Sequence, residues 1–122
     1  MKRRTVALAG LLVLIAAGPA ASRAIPVDEC IEGGEFIKHA AMSRDSGITR
    51  EFFMDRLTED IMMIQAFPPP LRWFVQDDSD EKLLTGAAAR VFDEPRPPEE
   101  HETAFIEECM RTSTARNQDR PI

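Results

Sequence analysis

Two cysteines, two histidines and one run of carboxylates are the side chains whose types and spacing allow chemistry in this 122-residue sequence. Cys30 and Cys109 stand far apart and suit one disulfide, formed in an oxidising compartment. Closing a loop of that length removes about 4 to 5 kcal/mol of chain entropy from the unfolded state. Neither cysteine belongs to a Cys-x-x-Cys redox pair, and no histidine follows one as haem attachment requires. Glu35 and His39, four residues apart, share one face of a helix, and His101 is a remote third donor. Two neighbouring ligands do not complete a zinc site, so Glu35 and His39 read as a surface pair. Asp77, Asp78, Asp80 and Glu81 offer hard oxygen ligands but lack the spacing and central glycine of a helix-loop-helix calcium loop; they read as a solvated turn. No serine occupies a nucleophile elbow, and no glycine-rich loop is present to cradle phosphate. These patterns assign no catalytic residue, no metal and no cofactor.

What remains is binding. In Pro69-Pro70-Leu71-Arg72-Trp73-Phe74-Val75 apolar bulk and one arginine directly follow a rigid turn, the residue types of an interface hot spot. Leu71, Arg72, Trp73 and Phe74 are therefore the candidate protein-binding residues. The competing expectation is that a small chain spends its Trp and Phe on its core. Met62 and Met63, beside the face of the second helix, add adaptable apolar area or, more plainly, fill packing gaps.

Periodicity and punctuation supply the elements that would carry these side chains. A first helix is expected from about Asp28, which caps it, with Cys30, Gly34, Ile37 and Ala41 inward and Ile31 and Phe36 widening that face. Gly33-Gly34 suits a close approach by a neighbouring helix. Asp45-Ser46-Gly47 ends the element. Thr49 caps a second helix with Phe53, Leu57, Ile61 and Ile64 on its apolar side, stopped by Pro68-Pro69-Pro70. Leu71 to Gln76 is expected to form a helical turn or two. A third helix capped by Asp78 buries Leu84, Ala87, Ala88, Val91 and Phe92, and a fourth begins at Pro98 and turns Phe105, Ile106 and Cys109 inward. Each is too short to be stable alone. The economical assembly is all-α: a small four-helix array closed by one disulfide between its first and last helices.

The first 24 residues read as a signal peptide: Lys2, Arg3 and Arg4, an apolar run from Val6 to Ala17, then small residues. The apolar run is short of the roughly 20 residues a membrane span needs. Cleavage after Ala21 places Pro19 at the third position back; cleavage after Ala24 offers Ser22 and Ala24 as the small pair and is slightly preferred. Residues 25–115 form the expected helical domain and 116–122 a flexible polar tail. The whole chain carries 15 basic and 21 acidic residues. Loss of Lys2, Arg3, Arg4 and Arg23 with the leader leaves 11 against 21, a net charge of −10. That balance excludes a phosphate-binding footprint and any attraction to anionic membranes, so no nucleic-acid partner is expected, and it favours a basic protein partner.

Cys30, the turn Arg44-Asp45-Ser46-Gly47 and Cys109 together resemble small, secreted, helical bacterial proteins of uncharacterised function. Their pattern is a cysteine near the mature start, an Arg-Asp-x-Gly turn and a second cysteine in the closing helix. The resemblance spans most of the mature chain and brings no catalytic residues with it. A looser similarity is to periplasmic acid-stress chaperones, which are also small, helical and closed by one disulfide. The expected function is that of a small periplasmic or secreted protein-interaction module, with an acid-stress chaperone or a small hydrolytic or metal-dependent enzyme as alternatives.

Overall fold

The computed structural model describes residues 22–118, and within them the chain is all-helical. Four α-helices, α1 (Val27–Asp45), α2 (Arg50–Gln65), α3 (Asp78–Asp93) and α4 (Pro98–Gln118), are joined by short connections, with a 3₁₀ turn at Pro69–Leu71. Cys30 of α1 and Cys109 of α4 form the disulfide, their Cα atoms 5.7 Å apart. The signal-peptide reading concerns residues 1–24, of which 1–21 lie outside the described residues.

Helix α1 packs most extensively on α4 and secondarily on α3, whereas α2 leans mainly on α3. The α1–α4 contact is close because Gly33 and Gly34 present bare backbone there. A Cβ on Gly33 would lie 2.5 Å from Cε1 of the Phe105 ring, and one on Gly34 2.6 Å from Cγ1 of Ile106. Ile37, Ala40, Ala41, Leu84, Ala88, Val91, Phe105 and the disulfide complete the buried centre. Six rings run through the core in sequence, Phe105–Phe74–Trp73–Phe36–Phe53–Phe92, with neighbouring centroids 5.3 to 6.0 Å apart in tilted pairings that suit aromatic quadrupoles.

Helix ends follow local chemistry. Thr49 caps α2, its Oγ1 accepting from the Phe52 amide, and Pro98 opens α4. Gly47 takes a φ of 98° after α1, where a side chain would be strained. Arg44 reaches from the end of α1 to donate to the carbonyls of Val91, Glu94 and Arg96, satisfying groups that the end of α3 leaves open. Four expectations are corrected. The N-cap of α1 is Pro26 rather than Asp28, which lies inside the first turn. The cap of α3 is Asp77, one residue before Asp78, accepting from the Asp80 amide. Leu71–Gln76 is not helical beyond the 3₁₀ turn, because Arg72 already adopts an extended conformation. The supposed tail from residue 116 is helical through Gln118, and Arg116 is held by a long-range ion pair.

That ion pair belongs to a buried polar cluster. Asp80 is fully buried, and its two carboxylate oxygens receive Arg23 Nε at 3.0 Å, the Gln76 amide at 3.1 Å and Arg116 Nη1 at 2.7 Å. Arg23 also donates to Glu29 on α1 and to the carbonyl of Phe74, while the Arg23 carbonyl accepts from Arg116. The Phe74 contact helps hold a backbone with φ of 52°, a left-handed conformation that costs a bulky residue on the order of 1 to 3 kcal/mol. Burial alone would lower the Arg23 proton affinity, but its hydrogen bond to Glu29 and the charge of Asp80 outweigh that and hold it above the ordinary arginine value. While Glu29 and Asp80 are ionised, a cation raised in the folded state gives its stabilisation below the ordinary arginine value and loses it as pH rises through the folded value. Neutral and acid solution therefore leave this cation in place.

Two substitutions test this packing by urea unfolding at pH 7 with the disulfide intact. Asp80→Ala leaves two part-buried guanidinium groups facing each other, Arg23 with only Glu29 opposite it, and is expected to cost about 2 to 4 kcal/mol. Gly33→Ala forces its methyl against the buried Phe105 ring and is expected to cost about 1 to 3 kcal/mol despite alanine's better helix propensity, with a smaller loss for Gly34→Ala because Ile106 is partly exposed and can rotate.

Candidate interaction surface

The four residues Leu71, Arg72, Trp73 and Phe74 do not share one surface. Leu71 is 70% exposed at the end of the 3₁₀ turn. Arg72 folds back on α2, donating from Nε to the Phe67 carbonyl and from Nη2 to that of Gln65, so its charge closes the negative end of that helix. Trp73 is half-buried between Phe36 and Phe74 in the line of rings. Phe74 is fully buried in the core. Of the four, only Leu71 is left open to a partner.

The large exposed apolar area near Leu71 comes instead from α2. Phe52, Met62, Met63 and Phe67 are 52 to 66% exposed. The helix buries only Leu57 and Ile61 fully, and with about 3.6 residues per turn Phe52, Met62 and Met63 fall on the opposite side. Glu51, Asp55 and Glu59 share that outward side and have no ion-pair partner among the described residues, whereas Arg50 pairs with Asp93 and Arg56 with Asp60. The result is a mixed strip: Phe52 near the start of α2 and Met62 and Met63 near its end, with Asp55 and Glu59 between them on the same side, and Phe67 and Leu71 exposed beyond the helix. Such a strip can take a complementary apolar face, and its unpaired carboxylates would attract cations beside it.

Other residues with chemical potential are placed differently. Glu35 and His39 are exposed on α1, and His101 is buried at the start of α4 with Nε2 2.9 Å from the Glu94 carbonyl. Among the described residues no group of three or more His, Cys, Asp or Glu side chains could hold a metal ion. A crevice of about 230 Å³ lies beside His101, lined also by Arg90, Arg96, Glu94 and Glu108. Its arginines are already matched, Arg90 to Glu108 at 2.6 Å and Arg96 to Glu94 at 3.4 Å, and its volume is below the roughly 300 Å³ at which small-molecule sites begin. Among the described residues no helix is long and apolar enough to cross a membrane.

Sequence reasoning missed Phe52 and Phe67 as exposed groups, though the opposite-face position of Phe52 relative to Leu57 and Ile61 was a usable signal. It also placed Ile31 inward, where the structure leaves it 48% exposed, since a close helix pair seated on two glycines needs only a narrow face.

The difference between Leu71 and Phe74 is measurable. Leu71→Ala is expected to change unfolding free energy by less than about 0.5 kcal/mol, and Phe74→Ala to cost about 3 to 5 kcal/mol. Acrylamide quenching of the single tryptophan should be intermediate between that of a free and a fully buried indole. No protein-family model, curated protein or solved structure matches this chain, so its functional reading rests on the chemistry of this surface.

Proposed function

We propose that this is an exported interaction protein that binds a basic amphipathic helix of a partner protein along the outer side of α2 and the adjoining 3₁₀ turn. The observation that carries this reading is the exposure of Phe52, Met62 and Met63 on a helix that fully buries only two residues, with Phe67 and Leu71 exposed just beyond its end. A lone exposed apolar side chain needs no explanation, but a strip of large ones on one element marks a surface meant to be covered. Methionine is flexible and polarizable, so it can mould to a partner helix laid against it. Glu51, Asp55 and Glu59 determine the sign of that partner: lysines or arginines at the margin of its apolar face would pair with them, and an acidic helix would be repelled.

Export is the second part of the reading. It is supported by Lys2-Arg3-Arg4 followed by the apolar run from Val6 to Ala17, the order of a secretion leader. The Cys30–Cys109 disulfide adds to this, because such bonds persist outside the reducing cytosol. The two together support a periplasmic or secreted location.

Fluorescence anisotropy with a labelled Lys/Leu amphipathic helical peptide tests the binding. The oxidised protein is expected to bind it, more weakly as salt rises. The triple variant Met62→Ser, Met63→Ser, Leu71→Ser is expected to lose at least about tenfold in affinity, the truncation of a central hot spot, with its unfolding curve little changed. Equal affinity of variant and parent, or equal binding of a Glu/Leu peptide of the same pattern, would remove the reading.

A further inference from the structure

The buried cluster around Asp80 bears on where the leader is removed, and the inference rests on the export reading above. Arg23 stands between the two candidate cleavage positions. It supplies one of the two guanidinium groups on the fully buried Asp80 carboxylate, bridges to Glu29 on α1 and donates to the carbonyl of Phe74. The Arg23 carbonyl is itself used, accepting from Arg116 at 3.2 Å. Next to it Ile25 is 4% exposed, its amide donating to Ser113 Oγ at 2.7 Å and its carbonyl accepting from the same hydroxyl at 3.0 Å. The side chain and carbonyl of Arg23 and the backbone of Ile25 therefore tie this segment to α1, α3 and α4.

Cleavage after Ala24 would discard Arg23, leave Asp80 with Arg116 and the Gln76 amide, and create an ammonium group on a buried residue. The Ile25 nitrogen would change from an amide that donates to Ser113 Oγ into a charged amine at that hydroxyl, with no carboxylate in hydrogen-bond contact. Ser22 is part-exposed, so a terminal ammonium at that position stays in contact with water. We infer that the leader is removed by hydrolysis of the Ala21–Ser22 bond, and that Arg23 is a working part of the mature fold, a latch that fastens the N-terminal segment across the end of the helical array. Water adds across that amide under an export peptidase, leaving the Ala21 carboxylate on the released leader and a protonated α-amine on Ser22. The mature chain then has 12 basic residues in place of 11.

Two measurements test this together. N-terminal sequencing and intact mass of the protein recovered from the envelope and culture fluid of cells expressing the full chain are expected to show Ser22 as the first residue. In parallel, oxidised chains beginning at Ser22 and at Ile25 are prepared and melted. The Ile25 chain, and the Ser22 chain carrying Arg23→Gln, are expected to melt about 10 °C or more below the Ser22 chain, as for breaking a buried ion pair in a domain of this size. A mature chain that starts at Ile25, or equal melting of the three proteins, overturns the proposal. A chain recovered only in the cytoplasm with its first residues intact overturns the export reading, and the melting comparison then still judges the latch.

Discussion

A carboxylate with no access to water must find its compensation inside the protein, and Asp80 does so with groups from three separate stretches of chain. Its oxygens have partners from the segment before α1, from the loop before α3 and from the last turns of α4. Because each partner must sit within hydrogen-bonding reach of one side chain, those stretches are fixed relative to one another as well as to α3. The left-handed backbone of Phe74 is part of the same arrangement, since its carbonyl and its buried ring are both used. No buried side-chain nitrogen or oxygen among the described residues lacks a partner, so the cluster fixes geometry without leaving an unmet group behind.

Around that cluster the molecule divides its labour. Helices α1 and α4 form the rigid element, brought together by Gly33 and Gly34 and joined by the disulfide, with α3 packed against both. Helix α2 is attached mainly to α3, through Leu57, Ile61 and the part-buried rings of Phe53 and Phe92. A surface carried on α2 can thus change in shape or residue type with little disturbance to the ion pairs and the close helix contact. Arg72, by closing the end of α2, ties the 3₁₀ turn that carries Leu71 back to that helix.

Much of this architecture was legible from residue order. The 3.6-residue period placed Leu57 and Ile61, or Leu84, Ala88 and Val91, on inward faces; Thr49 and Pro98 marked helix starts; the two glycines signalled a close approach. What could not be read depends on residues far away in the chain. Asp80 looks like its neighbours Asp77, Asp78 and Glu81 until Arg23 and Arg116, 57 and 36 residues distant, are brought against it. Arg116 looked like tail and Arg23 like leader for the same reason. The segment Leu71–Phe74 is irregular, so no periodic rule says which side chain turns inward. Leu71 and Phe74, three residues apart and similar in hydrophobicity, ended on opposite sides of the surface. The exposed strip on α2 was obscured because Phe52, Met62 and Met63 are the same residue types that fill cores.

The pairing of the first helix with the last also fixes the timing of folding. Cys30 and Cys109 are 79 residues apart, and the α1–α4 contact cannot form until nearly the whole chain is free. While the polypeptide is still emerging, α1, α2 and α3 have only their lesser mutual contacts and lack the extensive α1–α4 seam. Contacts between distant residues slow the search for the native state. The topology thus leaves the seam that closes the molecule as the last to become available, once its final helix is free.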